Sequence, residues 1–348
     1  MKLSNKDSVP LDKFIDYALY DKEIGYYMSH NPFGSKGDFV TAPNISRLFS
    51  EIMGIWIITF WQSIGSPKKF NLIELGAGNG EMMKVLIETF RNFPDFLKSC
   101  QIIIHEKSKY LIELQKKRIN FNNIIWTKDI KKINKLPSIF IANEFFDALP
   151  IKQFIKKNQN WFERHVNIKN HNNFEFIDKK FNMKNFEKKI QFNISRNQMI
   201  IEYSPDAIKY LKSISNIIKK NNGGLLIIDY GYNETKMKNT LQAISNHKYV
   251  NILENIGKAD ITYNLNFSFI KKLINNIENL NTVMTNQKKF LTNMGILKRA
   301  EIISKKETFS KKADIFYRLK RLIHDSEMGN LFKVMLIKNV NNKFKTGF

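Results

Sequence analysis

The chain has 348 residues, 43% of them hydrophobic, which is ample for a large core. Its single cysteine, Cys100, excludes an internal disulfide framework and a cysteine-rich zinc site, and fits a reducing compartment. The net charge of +24 fits a nucleic acid, an anionic membrane surface or an acidic partner; since Lys, Asn and Ile are abundant throughout and the lysines are spread, compositional drift is the favoured account and a nucleic-acid partner is disfavoured.

The N-terminal ten residues lack the apolar segment of a signal peptide. Leu11–Tyr20 carries helical apolar spacing. Gly25-Tyr26-Tyr27 and a glycine-rich loop over residues 31–39 follow, then a helix over Ile45–Trp61 with Leu48, Phe49, Ile52 and Trp56 on one side. The longest apolar run, Ile52–Trp61, is too short to span a bilayer. A soluble, cytoplasmic protein without a transmembrane segment is expected. From residue 70 short strands alternate with amphipathic helices: strand Phe70–Leu75, helix Glu81–Phe90, strand Ile102–His105, helix Tyr110–Ile119, strand Ile124–Trp126 and strand Ser138–Ala142. That order predicts a parallel, doubly wound α/β sheet. A β-hairpin is predicted over 151–166, an irregular polar insertion over 167–200, a strand at Gly224–Tyr230, helices at Phe267–Ile277 and Asn286–Ile303, and a last strand at Phe332–Ile337. Cys100 has no activating neighbour and reads as structural. The six histidines have no metal-ligand spacing, so no metal is expected.

Chemistry concentrates at the strand ends. Glu74-Leu75-Gly76-Ala77-Gly78-Asn79-Gly80 follows the first strand and opens a helix, where glycines permit a tight turn and close approach of a ligand to backbone. A nicotinamide-binding loop wants Gly-x-Gly-x-x-Gly, but its third position here is Glu81, poorly suited to a pyrophosphate. The amino-acid end of S-adenosyl-L-methionine carries an ammonium group, which Glu74 can hold. Glu106, after the second strand, is placed to accept from ribose hydroxyls, and Asp129, after the third, to lie near the adenine amino group. Ligands of open parallel sheets bind at these carboxyl ends.

The fourth strand runs into Asn143-Glu144-Phe145-Phe146-Asp147-Ala148-Leu149-Pro150, and lacks the Asn/Asp-Pro-Pro-aromatic motif of methyltransferases acting on base amines. Glu144 and Asp147 stand three apart and can share one face of a turn. Paired carboxylates suit a guanidinium, which is planar, always charged and able to bond bidentately. The competing reading has Asp147 capping a turn and Glu144 holding cofactor.

These segments resemble the MidA-like family, the bacterial and mitochondrial relatives of the respiratory complex I assembly methyltransferase. The resemblance rests on Tyr26-Tyr27, Gly37-Asp38-Phe39-Val40-Thr41-Ala42-Pro43, the glycine loop, Asn143–Pro150, Glu202-Tyr203-Ser204-Pro205, Ile228-Asp229-Tyr230-Gly231, Thr240-Leu241-Gln242-Ala243, Ala259-Asp260-Ile261-Thr262, and residues 328–334. It implies a Rossmann-like class I methyltransferase sheet with an N-terminal helical segment and a β-hairpin and irregular insertion. It also implies symmetric dimethylation of arginine on a protein substrate, a complex I subunit. Asn44 departs from the family's usual glutamate and Asn143 from its frequent histidine.

One integrated catalytic domain is expected: a helical cap with a lid loop over 1–66, a cofactor-binding half over 67–150, a hairpin and insertion over 151–222, and completion of the sheet over 223–348. Gly37, Asp38, Thr41 and Pro43 of the lid are expected at the cofactor, with Glu74, Gly76, Gly78, Asn79, Gly80, Glu106, Asp129 and Asn143. Glu144 and Asp147 are the catalytic candidates. Tyr26, Tyr27, Trp56 and Trp61 are assigned to the core, and His105 to a structural place beside the cofactor. A nucleic-acid or small-molecule methyltransferase, and an assembly chaperone that binds cofactor without catalysis, remain as rivals. The target protein and oligomeric state are not written in the sequence.

Overall fold

A computed structural model describes residues 8–29, 41–170, 173–245 and 247–348. Its centre is a sheet of seven main strands: β1 Phe70–Leu75, β2 Cys100–His105, β3 Ile124–Thr127, β4 Ser138–Asn143, β5 Gly223–Tyr232, β6 Leu280–Asn286 and β7 Phe332–Asn339. They lie in the order β3-β2-β1-β4-β5-β7-β6. Neighbours from β3 to β5 are parallel, whereas β7 runs antiparallel to both β5 and β6. This is the expected Rossmann-like α/β sheet. Strand order reverses between β1 and β4, so the loops leaving those strands diverge and open a crevice.

β1, β4 and β5 are apolar almost throughout because both faces are covered. Alternation splits their side chains between two cores. Ile73, Leu75, Ile103, Phe140 and Ala142 pack with Phe14 and Ala18 of the helix Leu11–Tyr20 and with Leu211 and Ile214 of the helix Pro205–Asn221. Leu72, Ile102, Ile104, Ile139 and Ile141 pack on the other face with Phe49 and Trp56 of the helix Arg47–Ser63, and with Leu86 of the helix Glu81–Phe90. Cys100 is buried there, as expected of a structural thiol.

Two smaller sheets accompany the central one. The expected hairpin exists, with Lys152–Lys157 antiparallel to Asn160–Asn170. It belongs to a five-stranded antiparallel sheet completed by Ser8–Pro10, Asn173–Phe181 and Ile200–Tyr203. The irregular insertion expected over 167–200 is therefore corrected: it holds a strand and the helix Met183–Ile190. Its polar composition reflects a strand exposed along much of its length rather than irregular backbone. A three-stranded sheet of Gln242–Ser245, Lys248–Val250 and Asp260–Thr262 walls the crevice beyond β4 and β5. The helix expected over Asn286–Ile303 is two, Gln287–Asn293 and Ile296–Ser304, separated at Gly295, whose φ of 83° no continuous helix accepts. Among the described residues no helix is long and apolar enough to cross a membrane.

Candidate active site

The glycine loop leaves β1 at the reversal of strand order. Gly76 donates its N–H to the His105 carbonyl at 2.9 Å and has φ 66°. A Cβ there would stand 2.8 Å from the Phe145 ring, so a side chain is excluded by backbone and space together. Gly80, at φ 81°, caps the helix Glu81–Phe90 and presses on Gln115 and Ile119. Glu81 lines the cleft but its carboxylate meets Arg118 at 3.0 Å.

Three connected lobes make up the cleft. The first, about 590 Å³, runs past Gly76, Gly78, His105, Glu106, Phe145 and Tyr210. The second, about 390 Å³, is bounded by Glu74, Asn79 and Asn143, with Thr41 and Pro43 across from them. The third, about 700 Å³, is lined by Asp147, Tyr230, Asp260 and Gln242. Glu144 lines all three. Its backbone φ is 50°, a strained value for a non-glycine residue that costs on the order of 1–3 kcal/mol. The surroundings hold it there: its N–H donates to the Ile228 carbonyl at 2.9 Å, and its carboxylate accepts from the Ala42 N–H at 3.3 Å and from Asn143 Nδ2 at 3.1 Å.

The carboxylates differ in how they are satisfied. Glu106 accepts from the Ser108 N–H at 2.9 Å and from Gln115 Nε2 at 3.3 Å; Gln115 is itself fixed by Gly78 and Trp126. Glu74 is buried with Oε2 unpartnered, and burial with the nearby Glu106 pushes its carboxyl up to about 8. Asn143 Oδ1 is likewise buried and unpartnered. Burial pushes Glu144 up to about 7. Asp147 keeps a buried, unpartnered Oδ1, and burial, reinforced by Asp229, Glu144 and Asp260, raises its carboxyl well above the usual range. No lysine or arginine among the described residues pairs with Glu74, Glu144, Asp147 or Asp229. A crowd of acids in a chain of net charge +24 is a local inversion of sign. Burial and mutual repulsion raise these carboxyls, which favours their neutral forms where no cation is near.

Most of the residues expected at the site converge on it. Thr41, Pro43, Glu74, Gly76, Gly78, Asn79, Glu106, Asn143, Glu144 and Asp147 line one lobe or another, and Gly80 shapes the loop from behind. Gly37 and Asp38 lie outside the described residues. Asp129 does not line the cleft; its carboxylate accepts from the Lys131 N–H at 2.9 Å and caps a short turn. Asn44 bridges Thr41 and Asn79, donating to Thr41 Oγ1 at 2.7 Å and accepting from Asn79 Nδ2 at 3.0 Å. His105 lines the first lobe, 2.7 Å from the Tyr210 hydroxyl, and burial pushes its imidazole down to about 4. Tyr26 and Trp56 are core, as expected. Tyr27 packs on the same core but also lines the first and third lobes, donating to Asp260 Oδ1 at 2.7 Å. In the short helix Tyr26–Ser29 one ring turns inward and the next faces the cleft.

Sequence reasoning also missed Asp229. Wholly buried, it accepts from the N–H groups of Phe146 at 3.0 Å, Asp147 at 3.3 Å and Tyr230 at 2.9 Å. One carboxylate thus ties the turn after β4 to the end of β5. Its signal was an acid inside an apolar strand, within a segment the family resemblance had already marked.

An open sheet with a parallel core, a glycine loop at the strand reversal and an unpartnered acid facing it define a class, the S-adenosyl-L-methionine-dependent methyltransferases. The chain belongs to the family described as "Putative S-adenosyl-L-methionine-dependent methyltransferase", whose family model matches residues 52–285. The "Protein arginine methyltransferase NDUFAF7, mitochondrial" of Homo sapiens is 29% identical to it, over 95% of this chain and 80% of that protein. Its counterpart in Xenopus laevis is also 29% identical, over 99% of this chain and 85% of that protein. A Burkholderia thailandensis protein crystallised with S-adenosyl-homocysteine shares the fold at a TM-score of 0.81, with 21% identity over 98% of this chain and 90% of that one. The expectation of a cytoplasmic protein is corrected by these relatives, whose names are mitochondrial.

The lining fits this cofactor. The unpartnered Glu74 carboxylate suits an ammonium group, and Glu106 faces the adjoining lobe with lone pairs left for hydroxyls.

Proposed function

We propose that the enzyme methylates arginine side chains of a protein, with a subunit of respiratory complex I as the target. The observation that carries this reading is the acidic third lobe, which Glu144 and Asp147 both line and which no lysine or arginine lines among the described residues. The relatives named protein arginine methyltransferases support it. In this assignment Glu74, Asn79 and Asn143 hold the amino-acid end of the cofactor, Glu106 its ribose, and Gly76 and Gly78 give it room. The cofactor supplies an electrophilic methyl group on a sulfonium. Glu144 and Asp147 hold the guanidinium, ionising as it enters, and offset its repulsion from the sulfonium. Positioning of this kind supplies most of the rate gain in such a transfer. Glu144, pushed up to about 7 and touching every lobe, accepts the proton that the methylated nitrogen releases.

The test is mass spectrometry of arginine methylation in complex I from cells with and without the gene. Loss of one dimethylarginine, restored by the wild type but not by Gly76→Val or Glu144→Gln, is expected. Glu144→Gln should lower turnover by about 10²–10⁴ while still binding cofactor. Unchanged arginine methylation, with cofactor binding intact in the purified protein, would remove arginine as the substrate.

A further inference from the structure

The helix Phe309–Ile323 is apolar on its outer side as well as its inner one. Leu319 and Leu322 are buried on its inner face, yet Phe309, Phe316 and Tyr317 project from the outer face at 88%, 44% and 63% exposure. Positions 309, 313, 316, 317 and 320 fall on one side of a 3.6-residue repeat, so the three rings form a stripe with Ala313 between them and Lys320 at its end. Phe309 and Tyr317 are the kind of large rings that water normally drives inward. The preceding helix, Ile296–Ser304, adds Leu297 and Ile302, exposed at 43% and 50%. Residues 296–323 carry nine basic side chains against three acidic ones. The three acids are all engaged, Glu301 by Lys298, Glu307 by Lys311 and Asp314 by Arg318. Lys305, Lys306, Lys312 and Lys320 take part in no ion pair among the described residues.

We infer that this face binds an anionic lipid surface. Four free lysines bracket a stripe of aromatic rings, the arrangement by which an interfacial helix buries its rings at the headgroup boundary and sets its lysines against lipid phosphates. Exposed rings beside unpaired lysines match the two demands of an anionic bilayer surface, apolar area for the headgroup boundary and positive charge for the phosphates. Drift toward lysine explains scattered positive charge, but not three exposed rings on one helical side. The same helix is joined to the cleft: Arg318 Nη1 donates to the Ile45 carbonyl at 3.0 Å, in the short helix Ala42–Ile45 whose Pro43 lines the second lobe. Docking this face would hold the methyltransferase cleft beside a membrane.

Co-sedimentation of the full-length protein with phosphatidylcholine vesicles, with and without phosphatidylglycerol, tests this. Binding is expected only with phosphatidylglycerol and should fade as salt is added. Each of Lys305→Gln, Lys306→Gln, Lys312→Gln and Lys320→Gln should weaken it about fivefold. The triple variant Phe309→Ser, Phe316→Ser, Tyr317→Ser keeps the net charge and should weaken it at least about tenfold, with S-adenosyl-homocysteine binding and melting behaviour retained as evidence of folding. Removing Lys179, Lys180, Lys188 and Lys189, far along the chain in the flanking sheet and its helix, should change it much less. Binding that survives the aromatic triple variant, or that falls equally with the distant lysines, would reduce the effect to general basicity and overturn the proposal. So would retention on polyglutamate, lost in the same variants, without any vesicle binding; the face would then belong to an acidic protein.

Discussion

Glu74 shows how one residue's surroundings dictate its chemistry. At an exposed position its carboxyl would ionise near 4.5; buried beside Glu106, it is pushed up to about 8. Because its proton is held in the folded state and lost more easily in the unfolded one, its contribution to stability is full below pH 4.5 and disappears as pH rises through about 8. Cofactor binding reverses the preference, since an ammonium beside the carboxylate favours the charged form. Binding therefore releases a proton below about pH 8. Affinity for S-adenosyl-L-methionine should rise about tenfold per pH unit until that point and then level off. Calorimetry in buffers of different ionisation enthalpy measures the released proton directly. Glu74→Gln should bind more weakly and without the pH slope; a slope that persists in the variant would assign the proton to another group. The sequence marked Glu74, Glu106, Glu144 and Asp147 because each stands at or shortly after the end of a strand. Tyr27 and Asp260 escaped because they meet across 233 residues of chain. Asp129 misled because the residue after a strand can as easily cap a turn as face a ligand.

At the scale of elements, the strands of the central sheet and the helices between its first members were legible because both faces of the sheet are covered. That produces a strand ending at the glycine loop in Phe70–Leu75 and an amphipathic helix in Glu81–Phe90, whose observed bounds match those read from the pattern. The strand Asn173–Phe181 was not legible, since it is half solvated and four of its nine residues are charged. Nor was the way β5 controls the turn after β4, which depends on register: Ile228 pairs with Asn143, and this sets Asp229 under Phe146 and Asp147. Asp229→Asn tests that control. Its volume is nearly unchanged, but one acceptor oxygen becomes an NH₂ facing backbone N–H groups. At least one buried hydrogen bond is lost, costing about 1–3 kcal/mol. The turn bearing Asp147 would loosen while Glu74 and Glu106, on β1 and after β2, stay in place. The acceptor KM should therefore rise and turnover fall, with cofactor affinity unchanged within about twofold. A parallel loss of cofactor affinity would show that the two halves of the cleft are one cooperative unit.

The whole molecule meets at that cleft. Its walls come from the N-terminal segment at Tyr20, Tyr27 and Thr41, from the loops after β1, β2 and β4, and from the three-stranded sheet at Gln242 and Asp260. These belong to different layers: Leu11–Tyr20 packs with one core and Arg47–Ser63 with the other. A ligand that contacts both layers is bound only by the assembled fold. Its binding energy then adds to the stability of the entire chain, not of one half. At a concentration one hundred times its Kd, S-adenosyl-homocysteine should contribute about 2.7 kcal/mol. For a chain of this size that corresponds to a rise of roughly 4 °C in melting temperature. The transition should remain single, whether followed by near-ultraviolet circular dichroism or by fluorescence of the four tryptophans. Because Glu74 is protonated in a larger share of molecules at lower pH, the same ligand concentration should raise the melting temperature less at about pH 6 than at about pH 8. Two separated transitions, only one of them moved by the ligand, would mean that the layers unfold independently and that the cofactor is held by one of them alone.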